Sequence, residues 1–228
     1  MAATPHSNPE NEMKNIVIVG AGGHGAEVDE YVRSGAVSAE GTALKVIGFI
    51  DDNAESYQRY RFSAPFLGGI QDHAVRSDCC YVLAIGSQVH RRSVLIQLLE
   101  KGVEFCAVIH PSAYVSPSSQ IGRGILVGPN VTIGPNVAIG DYTLLNARVS
   151  VGHDAQIGSC NIVSPNVAFT GFAKVGDDNF FGLNSAVLPR VSIGNGNTIA
   201  AGMIVDKNVG DGETVFYRFK ERVVAVTK

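Results

Sequence analysis

The sequence predicts a small parallel α/β domain followed by a parallel β-helix, and three observations carry that prediction. From Val103 to Val205 an apolar residue recurs at every sixth position, through Ile121, Leu145, Phe169 and Ile193, without a missed register. With about half of all positions apolar, chance gives such a run roughly four times in a million. Glycine often follows the repeat residue, as in Ile121-Gly122, Val127-Gly128, Ile139-Gly140, Val151-Gly152 and Val175-Gly176. A period of six fits neither a helix nor a simple amphipathic strand; it is the hexapeptide signature of short strands that turn a corner and stack. Ahead of this run, short β-branched apolar stretches alternate with helical ones, the pattern of a parallel sheet.

Taken in order, the chain opens on a polar stretch, residues 1–14, read as a mobile tail. Asn15–Gly20 (NIVIVG) reads as a buried parallel strand. After the loop Gly20-Ala21-Gly22-Gly23-His24-Gly25 comes a helix from about Ala26 to Ser34. Val46–Asp52 (VIGFIDD) is a second strand, Phe66–Gly69 a short third, and Ile70–Val75 a helix. Tyr81–Gly86 (YVLAIG) is another buried strand and Val89–Lys101 an amphipathic helix. The result, over 15–104, is a Rossmann-like sheet too short for a full dinucleotide fold. The hexads form a second domain over 105–210. The segment 211–228 leaves the period, carries several charges, and caps the last coil, whose open edge otherwise invites pairing.

The 228 residues are 45 % hydrophobic and 17 % charged, with a net charge of −3 and no Lys/Arg-rich run. Such a chain buries a core and offers nothing that recruits nucleic acid or an anionic membrane. No apolar stretch is long enough to span a bilayer. Cys79, Cys80, Cys106 and Cys160 show neither metal-ligand nor disulfide-framework spacing, so they read as free thiols in a reducing cytoplasm.

Two places carry chemistry. The glycine loop after the first strand lets a backbone approach a phosphate, and the helix N-terminus beyond it favours an anion. Glycine turns after strands are common, so the loop alone divides evenly between nucleotide binding and a structural turn. Asp51 and Asp52 end the next strand at the same rim, where on their own they read as a solvated turn, and Gly86-Ser87 end the strand Tyr81–Gly86 there too; three strand ends together make a cleft. In the hexads, where most positions are small or apolar, Asn146 and His153-Asp154 are out of keeping. An imidazole takes a proton near neutral pH, and a carboxylate beside it fixes the tautomer. Adjacency alone does not establish that contact. A surface histidine on a corner fits the pattern equally, and His24 is as compatible with a structural role as with a functional one.

VIVGAGGHGAEV, GFIDD and YVLAIGS, followed by hexads carrying Asn146 and His153-Asp154, resemble the nucleotide-sugar acetyltransferases of the sialic acid O-acetyltransferase and bacillosamine N-acetyltransferase type. The resemblance covers roughly 15–208. It implies a Rossmann-like domain that holds a nucleotide-linked amino sugar, a left-handed β-helix, a homotrimer, and acetyl-CoA bound between neighbouring helices, with no metal. It also implies His153 as general base and Asp154 as its orienting carboxylate. Asn146 would hold the sugar or the base, and His24 would border the acceptor. Asp51 and Asp52 would contact the nucleoside, with Gly22, Gly23 and Gly86 near the phosphates. Gly171 would place an amide at the thioester carbonyl, and Leu183, Ala201 and Gly202 would line the pantetheine arm. Two departures stand out. Ile162 replaces a second histidine found nine residues after the base in many members, and the Gly-x-Pro-Ala ending is missing.

The expected reaction is direct N-acetylation of a UDP-, GDP- or dTDP-linked 4-amino-6-deoxy sugar. The nearest alternative is O-acetylation of a sialic-acid-like hydroxyl. A non-catalytic scaffold leaves the glycine loop without a purpose. A catalytic zinc needs about three protein ligands, and the hexads offer only His110 and His153.

Overall fold

A computed structural model describes residues 13–217; almost all of the expected tail, and the cap from residue 218 onward, lie outside them. The first domain contains β1 (Lys14–Val19), α1 (Gly23–Arg33), β2 (Leu44–Ile50), α2 (Ala54–Gln58), β3 (Cys80–Leu83) and α3 (Gln88–Glu100). Its three strands are parallel in the order β2-β1-β3. Ile16, Val17, Ile18 and Val19 are fully buried, because helices and loops cover both faces of the sheet.

The structure departs from expectation at three places here. Residues 70–72 form a turn and 73–75 are irregular, rather than a helix. Six residues nucleate a helix poorly, and their surroundings compete: the Ile70 amide donates to Asp52 Oδ1 at 2.7 Å, and the Arg76 amide to Tyr81 Oη at 3.0 Å. Phe66–Gly69 is no strand; Phe66 makes only an isolated parallel bridge to Phe49. The short α2 was not foreseen, and Asn53 caps it, accepting from the Glu55 amide at 3.1 Å.

Eighteen two-residue strands follow, β4 (Val108–Ile109) to β21 (Thr214–Val215), in parallel sheets of seven, six and five strands. Partners up to β20 lie eighteen residues apart, as in Leu144↔Ile162, Ser150↔Ala168 and Gln156↔Lys174, and the last pair, Thr198↔Thr214, sixteen. Three hexads therefore make one coil, and stacked coils make a three-sided parallel β-helix. The repeat residues point inward and pack with Val131, Val149, Val167 and their equivalents into one continuous core. Val103, first in the six-residue run, belongs instead to the core of the first domain.

From Gly124 to Gly202 each corner turns through one left-handed residue, three positions after the repeat residue: Asn130, Asn136, Tyr142, Arg148, Asp154 and so on, with φ near +60°. Asn and Asp tolerate this conformation best among side-chain-bearing residues.

The two domains share a seam. Val108, Leu126, Leu144 and Ile162, the outward residues of four strands of the seven-stranded sheet, are buried in one cluster with Val28 and Val32 of α1. Each such burial contributes about 2 kcal/mol. From α3, Gln88 Nε2 donates to the Asp178 carbonyl at 2.6 Å, and Arg92 pairs with the Asp178 carboxylate. Arg91 is buried and donates to the carbonyls of Leu83, Ile85 and Tyr142; burial pulls its pKa down to about 10.

The cysteines correct the sequence reading. Tyr81 bridges to Phe105, which brings together Cys80 and Cys106, and these form a disulfide with Cα atoms 5.8 Å apart. That spacing suits the bond, but no short motif announces it. Cys79 and Cys160 are free. No helix among the described residues is long and apolar enough to cross a membrane.

Candidate active site

The glycines of the first domain divide by what surrounds them. Gly20, Gly22 and Gly25 have the Gly-x-Gly-x-x-Gly spacing. A Cβ on Gly20 would lie 2.6 Å from the Ala84 carbonyl oxygen, and one on Gly25 would overlap the carbonyl of Gly20. These two are glycine because β1, α1 and β3 pack too closely for anything else. Gly22 and Gly86 differ: a Cβ at either would meet nothing within 4 Å. Their bareness serves open space at the carboxyl ends of β1 and β3, where ligands of parallel sheets bind. Gly23 stands beside Tyr60, whose hydroxyl would be 3.2 Å from a Cβ there. Nothing in the sequence pattern signalled Tyr60.

The two carboxylates at this rim have work within the fold. Asp51 accepts from the Ala21 amide at 2.6 Å through Oδ2 and from the Asn53 amide at 2.8 Å through Oδ1, pinning the glycine loop to the end of β2. Asp52 Oδ1 holds the Ile70 amide. His24 binds Glu27 through Nδ1 at 2.9 Å, a contact that lowers the Glu27 pKa. His24 Nε2 is buried and has no partner among the described residues.

The second cluster sits on a corner of the β-helix. His153 follows β11 (Ser150–Val151), and its Nδ1 lies 2.8 Å from Asp154 Oδ2. Asp154 is the left-handed corner residue, with φ 59°, so its carboxylate turns back onto its neighbour. Asn136, one coil earlier, donates to Asp154 Oδ1 at 3.3 Å. The hydrogen bond to His153, and then that from Asn136, lower the Asp154 pKa below the ordinary carboxylate range. An ionised carboxylate only accepts. Nδ1 of His153 therefore carries the hydrogen, and in the neutral ring Nε2 presents its lone pair outward.

Gly171, which follows β14 (Ala168–Phe169), stands one coil beyond His153. A Cβ there would lie 2.8 Å from both Cε1 and Nε2 of the imidazole, so the ring rests directly against the Gly171 backbone. The same column at other coils holds Pro117, Pro135 and Pro189. Proline fits because the coil ladder never uses this amide. The Gly171 N–H accordingly has no protein acceptor among the described residues. Beside the pair, Phe172 packs on His153 and Arg190 on Phe172.

The remaining expected residues lie elsewhere. Asn146 follows β10 (Leu144–Leu145), and its Nδ2 donates to the Val163 carbonyl at 2.9 Å. Leu183 follows β16 (Phe180–Phe181), and Ala201-Gly202 follow β19 (Thr198–Ile199). The Gly202 amide donates to the Leu183 carbonyl at 2.8 Å. These three are exposed, and with Asn146 they border the seven-stranded sheet, one corner away from His153 and Gly171, which border the six-stranded sheet. A single chain does not bring the two groups together. Ile162 is buried in the seam between the domains. No group of three or more His, Cys, Asp or Glu among the described residues could hold a metal ion.

Residues 15–98 match the PglD N-terminal domain family. No curated protein matches the chain in sequence. Among solved structures, the acetyltransferase domain of PglB from Neisseria gonorrhoeae, determined with acetyl coenzyme A, is similar at a TM-score of 0.77 and 24 % identity, over 89 % of this chain and 95 % of that one. A mutant of perosamine N-acetyltransferase from Caulobacter crescentus, in complex with CoA and GDP-perosamine, superimposes at 0.72 with 27 % identity, over 88 % and 92 %. WeeI from Acinetobacter baumannii gives 0.72 and 25 %, over 89 % and 96 %. With a PglD N-terminal domain in front and the fold of these acetyltransferases along nearly its whole length, the chain is an acyltransferase similar in structure to hexapeptide-type nucleotide-sugar acetyltransferases.

Proposed function

We propose that the protein transfers the acetyl group of acetyl-CoA to the amine of a nucleotide-linked 4-amino-6-deoxy sugar, with His153 as general base. The observation that carries this reading is the His153–Asp154 pair resting against the free amide of Gly171. Nε2 takes a proton from the amine as nitrogen attacks the acetyl carbonyl. The Gly171 N–H stabilises the developing oxyanion, a contribution of about 3 kcal/mol in other enzymes; its lack of a protein acceptor among the described residues supports this role. Collapse of the tetrahedral intermediate then expels the CoA thiolate, which takes the proton back from the His153 imidazolium and leaves as the thiol. The complex of the Caulobacter enzyme with CoA and GDP-perosamine supports both substrate classes.

The sugar nucleotide binds at the first domain, its phosphates over Gly22, Gly23 and Gly86 and its nucleoside toward Asp51 and Asp52. His24, with its unpartnered Nε2, borders the acceptor, and Asn146 holds it. Leu183, Ala201 and Gly202 line the pantetheine arm, whose thin chain needs small or flat neighbours. Because they stand on a different corner from His153, the site is completed by a second copy, and a closed homotrimer supplies three such junctions. The reaction belongs in the cytoplasm, with the acetyl-CoA pool.

The test is CoA release from acetyl-CoA against a panel of UDP-, GDP- and dTDP-linked 4-amino sugars, with the protein's own thiols subtracted. Turnover with one nucleotide series, lost in His153→Ala, is the expected outcome. A His153→Ala protein with full turnover would remove the base assignment. A product cleaved by mild alkali or hydroxylamine would mark an ester and a hydroxyl acceptor instead.

A further inference from the structure

Phe172 is a bulky residue at a left-handed corner beside His153. Its backbone is in the left-handed region at φ 62°, a conformation that costs most for bulky side chains and least for Gly, Asn and Asp. In the same column Asn136 and Asp154 are of the tolerant kind, and Arg190, at φ 64°, is a second bulky residue. Phe172 is 39 % exposed, and its ring packs against His153 and Arg190.

What the ring touches is specific. Its centroid lies 5.2 Å from that of His153, with the two planes at 89°, the edge-to-face arrangement that aromatic pairs prefer. On its other side the Arg190 guanidinium carbon stands 4.5 Å from the ring centroid, a cation–π contact. Asp154 holds one edge of the imidazole, Gly171 of the next coil lies against the ring, and Phe172, beside Gly171, packs on it edge-to-face.

We propose that Phe172, clamped by Arg190, is a positioning residue that locks the His153 imidazole with Nε2 over the Gly171 backbone. The proposal rests on the reading of His153 as base. A base held in one orientation gains rate without changing how tightly either substrate binds.

Phe172→Asn is the decisive variant, because asparagine suits the left-handed corner and keeps the coil intact. Its Tm should equal or exceed that of the wild type, KM for both substrates should stay within about twofold, and kcat should fall about tenfold. Phe172→Tyr should restore most of the rate, and Arg190→Met should cost about threefold. An independent readout needs no substrate. In histidine-labelled protein, the ring-current displacement of the His153 resonances, assigned by their loss in His153→Ala, should vanish in Phe172→Asn. Unchanged resonances overturn the proposal, as does an unchanged kcat or a fall in Tm that parallels the fall in kcat. If no acceptor supports turnover, the reading of His153 as base fails, and the resonances alone decide whether Phe172 orients it.

Discussion

Two corners of the same coils are built on one backbone and put it to opposite uses. At the corner that enters the seven-stranded sheet, Asn161, Asn179 and Asn197 are completely buried. They form a ladder along the helix axis: Asn161 Oδ1 accepts from the amide of Asn179 at 2.9 Å, Asn179 Oδ1 from that of Asn197 at 2.8 Å, and Asn197 Oδ1 from that of Glu213 at 2.7 Å. Asn161 Nδ2 donates to the carbonyls of Gly158 and Gly176, both at 2.9 Å. At the corner after the six-stranded sheet, His153 and Asp154 face outward, and the column beside them is proline or bare glycine. The first corner uses side chains to satisfy backbone groups. The second leaves backbone and side-chain groups unused by the fold, and these are what chemistry can take up. In a repeat protein, the site is where the repeat stops serving itself.

The comparison makes opposed predictions for the two corners. Removing the His153 imidazole should cost the largest factor, about 10²–10⁴ in kcat, with no change in Tm. Asn179→Ala should do the reverse. It strips partners from the Asn161 side chain, the Gly176 carbonyl and the Asn197 amide inside the helix, at about 2–3 kcal/mol. Thermal unfolding should move down by roughly 5–10 °C, while kcat per folded molecule stays within about twofold. Loss of turnover without loss of Tm in Asn179→Ala would erase the distinction.

The same division separates the glycines of the first domain, with a smaller expected effect. Gly25→Ala drives a methyl into the Gly20 carbonyl and should destabilise by about 1–3 kcal/mol. Gly22→Ala projects into open space. Its Tm should hardly move, and KM for the sugar nucleotide should rise about three- to tenfold. Thermal melts and substrate titrations on the two variants check the pair; equal Tm losses would mean that Gly22 too is bare for packing.

What was legible in the sequence follows the range of the interaction that writes it. The hexads repeat one inward contact per strand, so periodicity alone gives the β-helix, while its left-handed corners, held by Tyr142, Arg148 and Phe172 as well as by Asn and Asp, show only in the structure. His153-Asp154 stands out because both partners lie on one corner. The glycine loop shows by composition, yet only the packed structure separates Gly20 and Gly25 from Gly22. Contacts set by folding at a distance left no local trace. The seam residues Leu144 and Ile162 look like any other hexad strand, and Cys80–Cys106 depends on the bridge between Tyr81 and Phe105. The turn at 70–72 and the irregular stretch after it depend on Asp52 and Tyr81, both distant in sequence. Phe172 escaped because its signal, a bulky residue at a left-handed corner, appears only once the corners are numbered.

The seam also supplies a contrast with the exposed His153. His110 begins the corner below Asn146, its ring 5.1 Å from that of Tyr31 and its Nδ1 2.8 Å from Ser112 Oγ. Burial lowers its pKa below the ordinary histidine value, and burial likewise lowers that of His73 beside the Tyr81 hydroxyl. A histidine whose pKa is depressed on folding binds fewer protons folded than unfolded. Its contribution is complete above the ordinary value near 6.5 and is lost as pH falls through that value toward the folded one. The Tm should therefore decline as pH falls through the ordinary value near 6.5, and the decline should be shallower in His110→Gln and shallower again with His73→Gln added. Both rings are partly solvated, so the effect should be the smallest of those predicted here. A slope unchanged by both substitutions would mean that neither ring is held neutral by the fold, and that the seam tolerates charge as readily as the open corner does.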